Sequence, residues 1–263
     1  MTGYTLMTTK YAFIGNNLSL DFVNTVGNIS SANPTEKLNS LSDLIEWSKQ
    51  GKLISNDEAI AIFTETEKNI LESEKLFKRV LRFRKSIYDI FRSIINREEI
   101  SSKDLRVFNN ELSRAMSKAE IFHHESELVW DWKNNSLERI PFLIARIAAQ
   151  LLTSSDLEKL KCCSGENCGW LFYDTSKNKR RQWCDMRDCG NLAKARRFRV
   201  KKARWIAVVY EVKPWVRSTS SVEPWGAEGQ ALPADSRNQF PRLRRRRAAE
   251  PVYLGAKPTF LMI

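Results

Sequence analysis

The sequence has few of the features that mark enzymes. His123 and His124 are its only histidines, and neighbouring residues of a strand point to opposite faces, so these two cannot easily bind one metal ion. It contains no Gly-rich phosphate loop, no nucleophile-elbow motif and no His-rich metal motif. We therefore predict that the protein is not an enzyme.

Long apolar runs are also missing. No stretch approaches the ~18 apolar residues that a membrane span needs. The first residues lack the apolar core and the cleavage site of a signal peptide. These absences predict a cytoplasmic protein with no membrane partner, in a compartment where thiols stay reduced and available to metals.

Cysteine is scarce, but four of the five cysteines follow a regular pattern. Cys163-x4-Cys168 is repeated 21 residues later as Cys184-x4-Cys189, and a glycine follows each second cysteine. Two pairs at this separation are typical of a structural zinc site with four thiolate ligands. Disulfides are the alternative, but the odd number of cysteines and the expected compartment disfavour them. We predict one structural Zn²⁺ bound by Cys163, Cys168, Cys184 and Cys189.

The fifth cysteine, Cys162, is adjacent to a predicted ligand. Leaving it out makes the two loops equal in length, so we interpret it as a packed or idle thiol. Redox exchange with a zinc ligand is the alternative. Gly169 and Gly190 are expected to let the backbone turn tightly and direct an N–H group at a thiolate.

Positive charge is concentrated near the cysteines. Residues 1–160 carry 21 Lys and Arg against 22 Asp and Glu, whereas residues 161–204 carry 13 against 4. The last 59 residues carry 9 against 5, which completes the net charge of +12. This distribution favours a polyanionic partner for the cysteine-rich region. A basic surface that only keeps the protein soluble is the alternative.

The apolar spacing of the first 160 residues is mainly that of helices, which predicts an α+β fold with an α-rich N-terminal domain. Residues 11–25 carry strand-type apolar residues around a Gly-Asn-Asn turn, so a hairpin or two short strands is expected there. Helices are predicted from Ser40 to Gly51, over a long block from Asn56, from Ser101 and from Arg139 to Thr153, and a strand over 121–132.

The cysteine-rich region has the order of elements of a treble-clef zinc finger. Strands are predicted over 157–163 and 170–173, and a helix begins just after Cys189. So small a unit would depend on metal for its stability. The predicted organisation is a domain over 1–156, a zinc finger over 157–204 and an atypical basic tail over 205–263. The first residues of the tail can prolong the helix or form a strand, and the rest is expected to be disordered or only loosely attached.

Several short segments resemble known families. Residues 168–172 (CGWLF), 174–176 (DTS), 180–186 (RRQWCDM) and 189–191 (CGN) resemble the CGNR zinc finger family. Residues 15–25 (GNNLSLDFVNT) are similar to the opening of the ABATE domain, which usually precedes that finger. The resemblance implies a bacterial stress-responsive transcription regulator with the finger as its DNA-binding module.

One position departs from the family pattern. Leu192 stands where the family name expects arginine, which puts in doubt any contact that this arginine makes.

Basic side chains of the finger are the candidates for nucleic-acid contacts, through phosphates or guanine edges. Lys194, Arg197 and Lys201 share one face of the predicted helix. Trp170, Phe172 and Trp183 could stack on bases, although packing around the metal is favoured. The full candidate set is Arg180, Arg181, Arg187, Lys194, Arg196, Arg197, Arg199, Lys201 and Lys202.

Two functional hypotheses follow. The first is a transcription regulator that binds DNA through the zinc-stabilised basic module, with the α-rich domain sensing a signal or pairing subunits as a homodimer. The second is a zinc-stabilised interaction module that binds RNA or an acidic protein without sequence-specific DNA recognition. Asp21 and Asn24 either line a ligand pocket of the first domain or are buried and satisfy backbone donors.

Overall fold

The computed structural model describes residues 10–211 except 125 and 134–135. Within these residues the helices are α1 (Leu18–Val23), α2 (Leu41–Gln50), α3 (Asn56–Lys68), α4 (Ile70–Asn96), α5 (Ser102–Ser117), α6 (Arg139–Leu152) and α7 (Asn191–Glu211). The strands form antiparallel pairs: β1 (Val26–Gly27) with β2 (Thr35–Glu36), β3 (Glu120–His124) with β4 (Glu127–Asp131), and β5 (Leu160–Cys162) with β6 (Leu171–Tyr173). The predicted α+β class is confirmed.

Serine side chains cap the N-termini of three helices, which begin where the sequence predicts them. The Ser40 hydroxyl accepts a hydrogen bond from the Asp43 N–H at the start of α2. Ser55 and Glu58 form a reciprocal capping box at the start of α3, and Ser101 caps α5. Each cap satisfies backbone donors that have no partner inside the helix.

The hairpin or strand pair predicted for residues 11–25 is wrong. Residues 18–23 form helix α1, and the Asn17 side chain accepts a hydrogen bond from the Ser19 N–H at its start. Leu20, Phe22 and Val23 are all buried. A short helix enclosed on every side shows no apolar period of 3.6, so its apolar run resembles that of a strand.

The single strand predicted over 121–132 is also wrong, because this segment folds back on itself. Strands β3 and β4 pair in antiparallel register, with Ile121 opposite Trp130. His123 and His124 both lie on β3. The turn predicted at residues 134–135 lies outside the described residues.

The hydrophobic core is organised around the long helix α4. This helix packs against α1 and α5, and α6 packs against α1 and α5. Phe83 and Phe91 of α4 are fully buried together with Trp47, Trp132 and Phe142. Burial of each such side chain contributes about 2 to 3 kcal/mol, so this cluster supplies a large part of the stability of the fold.

The cysteine-rich region packs directly on this helical core. Strand β5 contacts α4, and β6 contacts α1. All described residues belong to one compact unit. Helix α7 continues to Glu211, so residues 205–211 prolong the helix, which is one of the two predicted alternatives. The disorder predicted for the rest of the tail concerns residues outside the described range.

Candidate metal centre and nucleic-acid interface

Four cysteine side chains converge beside the β5–β6 hairpin. Cys163 follows β5 and Cys168 precedes β6, while Cys184 and Cys189 come from the segment before α7, with Cys189 in a π-helical turn (Met186–Gly190). Their Sγ atoms all lie within 4.8 Å of one another, and none forms a disulfide. The structure therefore brings together all four predicted ligands.

The spacing of the sulfur atoms fits a tetrahedral zinc ion. Zinc–thiolate bonds of ~2.3 Å place the sulfurs of a tetrahedral site about 3.8 Å apart. The Sγ atoms of Cys168 and Cys184 are 3.6 Å apart, and those of Cys184 and Cys189 are 3.7 Å apart. Four thiolates supply the whole coordination shell, so this donor set suits one structural zinc ion with no open position.

Backbone N–H groups surround the Cys163 sulfur and favour its thiolate. The N–H groups of Gly165 and Cys184 donate to it at 3.4 and 3.3 Å. Hydrogen bonding from the Cys168 side chain, then from Cys184, lowers the pKa of Cys163. The same contact with Cys163 raises the pKa of Cys168. Packed thiols resist carrying several negative charges, and a divalent cation removes that repulsion.

The two glycines after the second cysteines have different roles. Gly169 has a φ of +66°, and a Cβ there would lie 2.2 Å from the Ser30 Oγ atom. Only glycine allows the loop that contains Ser30 to approach so closely. The Gly190 N–H donates to the Asp185 carbonyl rather than to a thiolate. The expectation that both glycines direct N–H groups at sulfur is therefore wrong for Gly190, and among the described residues no hydrogen bond joins the Gly169 N–H to a thiolate.

Cys162 lies outside the metal cluster. Its side chain packs against the core of the helical region, and burial raises the pKa of its thiol. A thiol that resists ionisation is a poor nucleophile. These observations support the interpretation of Cys162 as a packed thiol.

The motif over residues 15–25 holds strand β6 of the finger. The Asn24 side chain makes two hydrogen bonds to Leu171: its amide donates to the carbonyl at 2.8 Å and its oxygen accepts from the N–H at 2.9 Å. The Tyr173 N–H donates to the Gly15 carbonyl at 2.8 Å, and the Asn16 amide donates to the Tyr173 carbonyl at 2.9 Å. The side chains of this motif therefore take the place of a neighbouring strand.

Asp21 helps to hold Gly15, which contacts strand β6. It is buried, and its carboxylate accepts a hydrogen bond from the Gly15 N–H at 2.7 Å. Burial raises the pKa of Asp21 to about 7, against hydrogen bonds from Gly15 and Ile14 that act to lower it. Of the two interpretations of Asp21 and Asn24, the structure supports buried side chains that satisfy backbone groups.

The loop between β1 and β2 and helix α4 hold the first knuckle of the finger. The Ile29 N–H donates to the Cys168 carbonyl at 3.1 Å, and the Trp170 indole donates to the Val26 carbonyl at 2.7 Å. The Tyr88 hydroxyl of α4 donates to the Gly169 carbonyl at 3.1 Å. Nothing in the sequence pattern identifies Tyr88, because it lies among ordinary interior positions of a long helix.

Aromatic residues of the finger pack around the metal ligands. Phe172 is fully buried with Cys163 and Cys184, and the partly buried Trp170 and Trp183 pack against them. These contacts confirm the prediction that the aromatic side chains serve packing.

Arg181 is a structural brace rather than an exposed basic group. Its Nε atom donates to the Trp183 carbonyl at 2.9 Å, and its Nη2 atom donates to the carbonyls of Ile14 and Cys184. The guanidinium also stacks on Phe172, with 4.4 Å to the ring centroid. Donors occupied in this way are not available to a phosphate, so Arg181 is a poor member of the predicted nucleic-acid set.

The other members of that set are exposed. Arg187 pairs with Asp185 at 3.2 Å, and Arg196 pairs with Glu166. Arg180, Lys194, Arg197, Arg199, Lys201 and Lys202 form no ion pair with any residue that the structure describes.

Helix α7 carries most of these cations and has few contacts with the other elements that the structure describes. Its packing is mainly against the preceding π-helical turn. Lys194, Arg197 and Lys201 lie at spacings of three and four residues, so they share one face of the helix. The Arg197 guanidinium lies 6.0 Å from the centroid of the Trp183 ring. The helix therefore presents a row of positive charge beside the metal centre.

The position that departs from the family pattern lies at the edge of this interface. Leu192 is 61% exposed and lines a cavity of about 430 Å³ together with Glu166 and Arg196. Among the described residues, the Glu166 carboxylate of this cavity pairs with Arg196.

Protein-family models match both the zinc finger region and the helical region on which it packs. The CGNR zinc finger model matches residues 159–202. The ABATE model, described as "Putative stress-induced transcription regulator", matches residues 16–155, which is more than half of the chain. The chain belongs to the ABATE family. A comparison with curated proteins finds no match.

In this ABATE protein the two matched regions meet at the contacts described above. The segment that begins the ABATE match supplies Asn16 and Asn24, and the segment they hold lies inside the zinc finger match. Among the described residues, no helix is long and apolar enough to cross a membrane.

Proposed function

We propose that this ABATE protein is a transcription regulator that binds duplex DNA through helix α7 and does not act as an enzyme. Lys194, Arg197 and Lys201 form an exposed row on α7 with no ion pair to any described residue, and this row carries the proposal. Phosphates attract such a row, and an α-helix fits the major groove of B-DNA. The description of the family as a stress-induced regulator supports the same function. Such a regulator would act in the cytoplasm.

The zinc ion would act through structure alone in this proposal. Cys189 lies in the turn that leads directly into α7, so metal binding fixes the start of the helix relative to the hairpin. The contacts from residues 15–30 then fix the hairpin on the helical core. The α-rich region would thus set the orientation in which α7 meets DNA.

Changing Lys194, Arg197 and Lys201 together to alanine tests this function. Each lost phosphate contact reduces the slope of log K against log salt by about 0.9, so the slope should fall by about 2 to 3 and the affinity for duplex DNA should drop at least tenfold. Fluorescence anisotropy over a salt series measures both quantities.

A matched control removes the same charge elsewhere. Lys68, Lys78 and Lys85 are exposed on α3 and α4, and changing them to alanine should leave the slope unchanged. Equal effects of the two triple variants would show that only net charge matters, and the proposal would be wrong.

A second function, the docking of RNA or an acidic protein, is favoured by one observation. Phe198 and Trp205 on α7 are each 68% exposed, and such side chains suit bases or apolar side chains of a partner better than phosphates. Titration with duplex DNA, single-stranded RNA and an unrelated duplex competitor separates the two functions, since only the first gives a specificity ratio well above one.

A further inference from the structure

A cavity in the ABATE region collects positive charge far from the zinc finger in sequence. It has a volume of about 810 Å³ and lies where α4, α5 and the segment before α6 meet. This volume falls in the range of small-molecule sites. Six cations line it: Lys75, Arg79, Arg82, Arg114, Lys118 and Lys133.

Carboxylates neutralise only some of these cations. Glu138 is shared by Arg79 and Lys118, and Glu72 pairs with Lys75 at 2.7 Å. Lys133 lies 3.5 Å from Glu120. Within the described part of the chain, Arg82 and Arg114 have no carboxylate within ion-pair distance. The remaining carboxylate of the lining, Glu65 of α3, lies 3.8 Å from Lys68. Six cations against three lining carboxylates leave the cavity a positive surplus, although residues 1–160 as a whole are nearly neutral.

One buried carboxylate, Glu111, lies beneath the cavity, where it pairs with Arg79 and is influenced by Arg82 and Arg114. Glu111 is 3% exposed, and its Oε1 atom lies 2.8 Å from the Arg79 Nε atom. This contact is an ion pair whose angle does not suit a hydrogen bond from the Arg79 Nε–H group. The Glu111 Oε2 atom also has no hydrogen-bond partner among the described residues. Burial raises the pKa of Glu111, against the opposing influence of Arg79, Arg114 and Arg82. Arg79 is the cation that pairs with Glu111 at short range, and Arg82 and Arg114 remain outside ion-pair distance of this carboxylate.

Helices α4 and α5 place the side chains of Arg82 and Arg114 at the same cavity. Lys75, Arg79 and Arg82 are three or four residues apart and share one face of α4. Arg114 and Lys118 are similarly spaced on α5, which packs directly against α4. Guanidinium groups bind carboxylate and phosphate oxygens in pairs of parallel hydrogen bonds.

We propose that this cavity binds a small molecule bearing phosphate or carboxylate groups, held between the guanidinium groups of Arg82 and Arg114. The ligand would contact α4 and α5, the helices around which the core is built. The inference does not rest on DNA binding, because the cavity and α7 are made of different residues.

Titration of the zinc-loaded protein with inorganic phosphate, and separately with malonate, tests the proposal at constant ionic strength. At ten times the dissociation constant, ligand binding should raise the melting temperature by about 2 to 5 °C. The response should saturate, and it should disappear in the variant Arg82→Gln with Arg114→Gln. Both side chains are exposed, so this variant is expected to fold. A response to phosphate alone, or to malonate alone, identifies which oxyanion the site prefers.

A control with the same charge change, Arg197→Gln with Lys201→Gln on α7, should keep the full response. Absence of a saturable response to either anion, or an equal response in the cavity variant, would overturn the proposal. So would a cavity variant that loses affinity for duplex DNA as strongly as the α7 variant, because the cavity would then be a contact for the DNA backbone.

Discussion

The body of the zinc finger (residues 163–190) and helix α7 follow one another in the chain but are held in opposite ways. Phe172, Cys163 and Cys184 of the body are buried, and its backbone is hydrogen-bonded to residues 15–30. Every side chain described on α7 except that of Ala193 is exposed. The difference shows that the body is anchored to the helical core, whereas the described side chains of α7 make few contacts with the other described residues.

Removal of zinc should have the largest effect on the difference between the finger body and α7, because it should unfold the body itself. Structural zinc contributes about 10 kcal/mol or more to the folding of small fingers. Cys184→Ser, or a strong chelator, should therefore unfold the body and reduce the helical circular dichroism signal as α7 loses its anchor. Because the body is hydrogen-bonded to the core, the melting temperature of the ABATE region should also fall.

Cys162→Ser is the matched control for that experiment. It removes a thiol next to a ligand but outside the metal cluster, so zinc content and circular dichroism should stay as in the wild type. Equal loss of zinc from the two variants would contradict the assignment of the ligands, and an unchanged spectrum after chelation would contradict the structural role of the metal.

Asn24→Ala should have the next largest effect, because it leaves the N–H and carbonyl groups of Leu171 buried without partners. Each unsatisfied group costs about 1 to 3 kcal/mol, so the loss of both partners should lower the free energy of unfolding by about 2 to 6 kcal/mol. Urea denaturation measures the loss. Asn110→Ala changes an exposed asparagine of α5 and should cost little, so similar losses in both variants would show that Asn24 does not hold the finger.

Asp21 should give a smaller, pH-dependent effect. The pKa of its carboxyl is about 7 in the folded protein against about 3.9 in an unfolded chain. The folded state then holds the proton more tightly, so its contribution to stability declines as pH rises from about 4 to 7. Between pH 5.5 and 7.5 the decline should be about 2 kcal/mol.

Asp21→Asn should remove this part of the pH dependence, because an amide does not titrate. Urea denaturation at several pH values measures the difference between the two proteins. A constant difference across the range would show that Asp21 stays in one protonation state.

Much of the zinc centre follows from the sequence, because its ligands are close in the chain and their spacing limits the geometry. The caps at Ser40, Ser55 and Ser101 are predictable for the same reason, since a cap involves residues only a few positions apart. Helix α7 is predictable as well, because good helix formers follow one another without a breaker.

The contacts between the two matched regions could not be predicted in this way. Asn24 and Leu171 are 147 positions apart, and no local pattern relates them. The hairpin predicted for residues 11–25 is wrong for a related reason. Elements distant in sequence bury α1 on all sides, so its apolar residues do not recur with the helical period. The sequence predicts Arg181 as a nucleic-acid contact because it shows the charge of this residue, but it does not show that the acceptors are backbone carbonyls.

The pairing of the Asn24 amide with the backbone of Leu171 has a consequence for protein engineering and for gene rearrangement. A finger excised at residue 157 would carry a strand whose outer edge has lost its partners, and an ABATE region cut at the same point would keep a buried amide with nothing to bind. The ABATE region and the zinc finger are therefore poorly suited to exchange between proteins. A chimera that moves this finger to another protein should also carry residues 15–30, or supply another edge for β6.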